Sequence, residues 1–277
     1  MRLQHYLERV GYRGVVRTDY ACLRGIHRAQ AFAIPYENLD VQLGRPLDFD
    51  IERIFRKIVD SRRGGWCYET HILLAWALKE IGFDVTTVTA GIHRHEHGDI
   101  VLGNHTALLV RLDRTYLADL GLGDGIRDPI PLEKGTFRQG PLQFRLERLE
   151  DGYWRFHNHS LAWPTTFDFR DQPADWDLLA QHNRRQQTDP TSVLVANFIC
   201  QVMRPASLTC LTGRLLREKS QAGTTKRLVA EAEFVPLLAD VFGVRDEAIP
   251  TIWPRVAARH EQLFGVQTED QIVYDGF

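Results

Sequence analysis

Among 277 residues, the segment with the most chemistry in it is Arg62–Arg–Gly–Gly–Trp–Cys–Tyr–Glu–Thr70. Two glycines permit a tight turn, and the cysteine that follows falls in the first turn of an expected helix. The unpaired N–H groups and the positive end of the helix dipole favour an anion at such a position. A thiol placed there can be shifted toward thiolate, which is its nucleophilic form. The competing reading of Cys67 is a small buried hydrophobe, the usual fate of a free cysteine. Cys22, Cys200 and Cys210 have no such setting, and the four cysteines form neither a CxxC pair nor a disulfide framework.

A cysteine nucleophile needs a base and a group that orients the base. His105 heads the apolar run Asn104–His–Thr–Ala–Leu–Leu–Val110, and Asp119 interrupts Tyr116–Leu–Ala–Asp–Leu120. If these two runs form a hairpin with a two-residue turn at Asp113–Arg114, Asp119 faces Leu108 and lies on the opposite face from His105. One further turn residue, or a bulge, sets Asp119 opposite Ala107 and diagonally beside His105, within side-chain reach. The pairing therefore demands an odd register. Otherwise the two residues are an edge histidine and a turn-proximal aspartate, solvated apart.

Other motifs carry less. His93–Arg–His–Glu–His97 has imidazoles at alternate positions, which on a strand would share one face as zinc ligands do. The charged residues between them and the Gly98–Asp99 that follows read more simply as a solvated loop, and no metal is expected. Gly121–Leu–Gly–Asp–Gly125 lacks a nucleotide-binding fingerprint, but it suits a loop whose backbone approaches a ligand closely. Trp154, Phe156, Trp163, Phe167 and Phe169 read as β-core. Arg184–Arg185 reads as solvated surface, and no acid pair stands out among the 36 acids.

The elements that must position these residues change character along the chain. Segments starting at His5 and at Thr18–Asp19, a face made of Ile51, Ile54, Phe55 and Ile58, and Cys67 to Ile81 with its stop at Gly82 all have helical spacing. From Asp84 to about residue 170 the texture is that of short strands. Mixed character returns around Asn183, and Leu228 to Phe242 and Ile252 to Phe264 look helical. Ordinary apolar content (44%) excludes disorder, and 34 basic against 36 acidic residues exclude a dedicated nucleic-acid binder. The apolar run Ser192 to Met203 is too short to span a bilayer. The charged start does not read as a secretory signal, so a cytoplasmic protein with reduced cysteines is expected.

Taken together, the segments resemble the arylamine N-acetyltransferase family. Ile34–Pro–Tyr–Glu–Asn–Leu39 resembles its IPFEN segment, and Arg63–Gly–Gly–Trp–Cys–Tyr–Glu69 its RGGxCFE nucleophile segment. His105, followed by Ala118–Asp–Leu–Gly–Leu–Gly123, resembles its histidine strand and its VDVGFG aspartate strand. Asn183 to Ser192 is a looser echo of N…STxPxS. Thr70–His71 stand where the family usually has Leu or Gln followed by Asn. Tyr36 and Tyr68 replace phenylalanines, and Leu122 replaces a phenylalanine of the acceptor pocket.

The resemblance implies an α+β chain with a Cys-His-Asp site as in cysteine-protease-like folds. It divides into a helical bundle (1–83), an antiparallel β-barrel (84–190) and an α/β lid (191–277). Cys67 would be the acetylated nucleophile, His105 its base and Asp119 the orienting acid. Gly121 and Gly123 would lie on the coenzyme A side, and Tyr36, Tyr68 and Leu122 in the acceptor pocket. Acetyl-CoA would be the co-substrate and an arylamine or hydrazine the acceptor, with no metal or prosthetic group, no nucleic acid and no membrane, in a monomer or homodimer. The rival readings are a macrolactam-forming amide synthase of the same family, a transglutaminase- or papain-like hydrolase, and a catalytically dead binding module.

Overall fold

The computed structural model describes residues 1–205 and 207–265. The chain opens with helices α1 (Leu3–Val10) and α2 (Tyr20–Ala33), the latter capped by the Asp19 carboxylate, which accepts from the Cys22 N–H at 2.8 Å. A two-residue strand β1 (Tyr36–Glu37) and a short helix α3 (Leu39–Gln42) follow. Helix α4 (Ile51–Phe55) widens into a π turn at Arg56–Asp60. Ile54, Phe55 and Ile58 still face inward there, although the 3.6-residue period does not hold. Helix α5 spans Cys67–Ile81 and ends at Gly82, whose φ of 105° is the left-handed stop a glycine accepts without strain. Leu23, Ile26, Phe55, Leu73, Leu74 and Leu78 knit these helices into one core.

The middle of the chain holds β2 (Asp84–Ile92), α6 (Arg94–His97) running into a 3-10 turn (Gly98–Val101), β3 (His105–Arg111), β4 (Thr115–Ala118), β5 (Ile130–Pro131), β6 (Gly135–Gln139), β7 (Leu142–Arg148), β8 (Trp154–His157) and β9 (Thr166–Phe169). The strands lie antiparallel in the order β5-β4-β3-β2-β9-β8-β7-β6. Their inward side chains, among them Val88, Ala107, Leu109, Phe144, Phe156 and Phe167, fill one core, so the sheet is a nearly closed barrel. Alternate residues Val85, Leu108 and Val110 face the other way and pack on the helical core, which sets α5 against β2 and β3. Phe156, Phe167 and Phe169 lie in the barrel core as expected. Trp163 does not: it follows β8 in a loop and lines a cavity.

The last part holds α7 (Trp176–Thr188), α8 (Val193–Ala196), β10 (Ile199–Met203), β11 (Ser207–Thr212), β12 (Leu215–Ser220), β13 (Gly223–Leu228), α9 (Glu231–Asp240) and α10 (Ile249–Phe264). The expected α/β texture resolves into an antiparallel meander, β1-β10-β11-β12-β13, because two-residue turns rather than helical crossovers join β11, β12 and β13. The apolar run from Ser192 splits between α8 and β10. Leu228 pairs with Leu215 in the sheet, so the helix expected from it begins only at Glu231. Because β1 pairs with β10, the N-terminal helical region supplies a strand to this sheet. Residues 266–277 of the expected third region lie outside the described residues. Among the described residues, no helix is long and apolar enough to cross a membrane.

Candidate active site

Cys67 is the first residue of α5, with Trp66 as the N-cap. The Glu69 carboxylate accepts from the Trp66 N–H at 3.3 Å and so ties off one orphan donor of the helix start. Glu69 is itself held by Lys57 at 2.8 Å, and Lys57 also reaches Asp40 at 2.8 Å. Arg63 pairs with Glu37 at 2.8 Å and with Asp246 at 2.9 Å. The two charged sequence motifs thus meet as one buried ionic network beneath the cysteine. Glu37 is fully buried, Arg63 and Asp40 nearly so.

Burial pushes the Glu69 carboxyl up, although Lys57 opposes the rise. Burial also acts to raise Asp40, but Lys57 and Arg63 hold it below its usual range. The two glycines before Trp66 serve close approach rather than an unusual φ. A Cβ on Gly64 would stand 2.4 Å from the Pro35 carbonyl oxygen, and one on Gly65 would stand 2.9 Å from Ile58 Cδ1.

Strands β3 and β4 pair as Leu109↔Leu117 and Leu108↔Ala118 around a three-residue loop, Leu112–Arg114. This is the odd register: carried one step past β4, it sets Asp119 opposite Ala107 and on the face of His105. His105 Nε2 lies 2.7 Å from Asp119 Oδ2, and Nδ1 has no partner. Both residues are buried. Burial alone would raise the Asp119 carboxyl. The His105 imidazole, with His71 and the Gly121 N–H behind it, holds it below its ordinary value.

Burial pushes the Cys67 thiol up, beyond what the amides of Tyr68 and Cys67 itself pull back, and Asp119 and Glu69 add to the rise. The helix start therefore does not by itself make a thiolate here. Burial works against a thiolate at this position, so forming one calls for an acceptor for the thiol proton.

The structure brings the three residues to one place. A Cβ on Gly121 would lie 2.8 Å from Cys67 Cβ, 2.8 Å from His105 Cε1 and 2.5 Å from His71 Cε1. Gly121 is thus packed against the Cys-His-Asp cluster itself. Gly123, with φ 71°, abuts Gln201 and Tyr36 and does not line the cavity in front of Cys67. That cavity has a volume of about 600 Å³ and is lined by Cys67, His105, Tyr36, Leu122, Trp163 and Gln201, among others. A cavity of about 700 Å³ lies elsewhere and shares none of these residues; chemistry, not size, singles out the smaller one. Tyr68, expected in the acceptor pocket, is not at its wall. It packs on Trp66 and Phe49 and donates from its hydroxyl to the Gly103 carbonyl at 2.5 Å.

In the Asn183–Ser192 segment, Asn183 donates to Leu47 O, while Thr191 and Ser192 reach the cavity. His93, Glu96 and His97 lie in and beside the short helix α6 rather than on a strand. Their ligating atoms come within 4.8 Å of one another at an exposed surface, and His93 Nε2 accepts from the Thr165 N–H.

Sequence reading missed the part played by His71. It is fully buried, its Nε2 accepts from the Leu120 N–H at 3.0 Å, and its ring stands 5.5 Å from that of His105. The available signal was spacing: His71 lies four residues after Cys67, on the same helix face. Asn38, in the first motif, was likewise passed over. Its side chain bonds Leu194 O, Asn197 O and the Ile199 N–H, fixing the segment after β1 to α8 and to the start of β10.

Residues 19–249 match the N-acetyltransferase family model. The chain is 32% identical to arylamine N-acetyltransferase of Mycolicibacterium smegmatis, over 88% of this chain and 92% of that one. It is 30% identical to the pineal gland isozyme of arylamine N-acetyltransferase from Gallus gallus, over 88% and 94%. Among solved structures, arylamine N-acetyltransferase of Mycobacterium marinum in complex with CoA superposes with a TM-score of 0.82 at 28% identity, covering 94% of this chain and 99% of that one. With the family model spanning most of its length, and a relative 32% identical over 88% of it, the chain belongs to the arylamine N-acetyltransferase family.

Proposed function

We propose that this protein transfers the acetyl group of acetyl-CoA to an arylamine, or to a hydrazine or N-hydroxyarylamine, by way of an acetyl-Cys67 intermediate. The observation that carries this reading is the orientation of one imidazole. His105 Nε2 is engaged by Asp119 at 2.7 Å, which leaves Nδ1 as the nitrogen available to a thiol, and Cys67 and His105 converge on Gly121.

The steps follow from that geometry. His105 Nδ1 takes the proton of the Cys67 thiol, and the sulfur attacks the thioester carbonyl. The N–H groups at the start of α5 receive the developing oxyanion. The carbon–sulfur bond to CoA breaks, and CoA leaves as a thiol with the proton from His105. An amine then attacks the acetyl-cysteine and gives its proton to His105, which returns it to the Cys67 sulfur as the amide departs. Asp119 keeps the tautomer and the charge of the imidazolium in place and never takes the proton. Cys67 is almost wholly withdrawn from solvent, which protects the acyl-enzyme from water. Gly121, Tyr36 and Leu122 form part of the surrounding wall, and a cytoplasmic role in modifying foreign arylamines suits a free thiol.

Incubation with acetyl-CoA followed by intact mass and peptide mapping tests the proposal. One acetyl group on Cys67, absent in Cys67→Ala, and parallel double-reciprocal plots against donor and acceptor are expected. No adduct would point to a CoA-independent amide synthase, and turnover with water as sole acceptor to a hydrolase.

A further inference from the structure

The larger cavity, about 700 Å³, lies between the barrel and the second sheet and is built from different residues than the one containing Cys67. Its charges do not close. Arg28 is answered by Asp128 through two hydrogen bonds, at 2.8 and 2.5 Å, and Arg145 by Glu147 at 2.6 Å. Lys219 reaches Asp124 at 3.3 Å, and His159 Nε2 holds the other oxygen of that carboxylate at 2.8 Å.

Arg127 remains. It is only 8% exposed, yet its guanidinium makes one side-chain hydrogen bond, from Nη1 to the Gly125 carbonyl at 2.9 Å. Among the described residues no carboxylate pairs with it, and its Nε and Nη2 have no protein partner in a residue that lines the cavity. The acid that acts on it, Asp124, is already shared by two other groups, while Arg28 repels it.

The position of Arg127 is fixed, not adventitious. Its backbone N–H donates to Gln139 Oε1 at 2.7 Å, and its carbonyl bonds His27 Nδ1 at 3.0 Å. A rigid segment thus presents a guanidinium fork, withdrawn from water, with its counter-charge missing. Two parallel N–H groups of that kind match a carboxylate or a phosphate. The cavity supplies more than charge, because Phe32, Phe144 and Leu208 form an apolar part of its lining. Its volume suits a small organic molecule and exceeds what a bare inorganic ion needs.

We propose that this second cavity binds a small organic acid, with the carboxylate or phosphate on Arg127, a second contact from Lys219, and an apolar body against Phe32, Phe144 and Leu208. The site is separate from the acyl-transfer site and does not depend on the chemistry assigned to Cys67.

Calorimetric titration of the full chain with benzoate, phenyl phosphate, inorganic phosphate and neutral benzamide tests it, using wild type, Arg127→Gln and Ser207→Trp. The last variant narrows the cavity from the second sheet. Benzoate or phenyl phosphate is expected to bind once per chain, at least 10-fold more weakly in both variants, and benzamide is not expected to bind. Iodoacetamide labelling of Cys67 should proceed unhindered in the presence of the acid. Without ligand, R127Q should melt no lower than wild type, since the substitution removes an uncompensated buried cation; a structural arginine would give the opposite result. Failure of both acids to bind, equal binding by R127Q, binding of benzamide, protection of Cys67, or inorganic phosphate binding as tightly as phenyl phosphate would each overturn the assignment.

Discussion

His71 and His105 address different oxygens of one carboxylate: His105 Nε2 lies 2.7 Å from Asp119 Oδ2, and His71 Nε2 lies 3.7 Å from Asp119 Oδ1. Because His71 Nε2 accepts the Leu120 N–H, a lone pair and not a proton faces that side of the loop, and the neutral ring carries its proton on Nδ1. His71 therefore props the backbone that follows Asp119 without competing with His105 for the carboxylate. It can do so only while it is neutral. Protonated, it would turn a donor toward Asp119 and lose the bond to Leu120.

That relationship has a pH signature. Burial lowers the His71 pKa from 6.5 to about 4, against the pull of Asp119. The unfolded chain takes up this proton below pH 6.5 while the folded chain resists it down to about 4. Stability is therefore fully present above 6.5 and lost as the pH falls through that window. The shift corresponds to roughly 3 kcal/mol at the acid end. Urea denaturation of wild type at pH 7.5 and 5 should show about 2 kcal/mol of this loss, and His71→Asn, the residue more usual in the family, should lose distinctly less. Equal acid sensitivity in the two proteins would remove His71 as the cause.

Substituting Asp119 tests the proposed orientation of His105. Asp119→Asn keeps the shape but offers His105 Nε2 either an amide donor or a neutral acceptor, so the tautomer that leaves Nδ1 free for the thiol is no longer enforced. By the behaviour of Ser-His-Asp sites, a fall of about 10³–10⁴-fold in the rate of acyl-enzyme formation is expected. Pre-steady-state CoA release measures it, with thermal melting as the control for folding. A loss under 10-fold would mean that Asp119 holds the loop and not the imidazole.

Much of this is legible in the sequence. Cys67 to Ile81 could be bounded because a Gly-Gly break precedes it and Gly82 supplies a left-handed stop, both local properties. The register of β3 and β4 could be posed as an either-or, since side chains alternate strictly on a strand, but it hung on whether Leu112 joined the turn. No local rule decides that. Three-dimensional neighbours stayed hidden. His71 looked like a substitution within a motif, and only the packing of Gly121 against its Cε1 shows what the ring supports. Tyr68 read as a pocket residue because it adjoins Cys67 in sequence, yet successive helix residues point about 100° apart, and its hydroxyl runs to Gly103. Leu228 looked helical from its neighbours and was claimed by strand pairing instead.

The ionic network under the cysteine gives a stability prediction. Arg63→Met leaves Glu37, wholly buried, without its partner and removes a link to Asp246. Breaking one side of a buried pair costs about 3–5 kcal/mol, because the remaining charge stays desolvated. Chemical denaturation should register a loss of that size. The Asp246 carboxyl, held at about 2 first of all by its hydrogen bond to Arg45, should also titrate higher in the variant, by NMR. An unchanged denaturation midpoint would show that water replaces Arg63.

Gly121 and Gly125 lie four residues apart in the same loop and predict opposite outcomes for one methyl group. At Gly121 the new Cβ would stand 2.5 Å from His71 Cε1 and 2.8 Å from both Cys67 Cβ and His105 Cε1, so Cys67 and His105 must both move. At Gly125 the nearest atom is Leu122 Cβ at 3.6 Å, an ordinary contact. Gly121→Ala should cost about 1–3 kcal/mol of stability from overpacking. It should also slow acetyl-Cys67 formation by about 100-fold or more, because displacements near 1 Å in a reacting pair have effects of that order. Gly125→Ala should do neither. Rapid-quench mass spectrometry of Cys67 acetylation in both variants decides the matter. Equal rates in the two would mean that the loop yields freely, and that the convergence of Cys67, His71 and His105 on Gly121 does not set the geometry of attack.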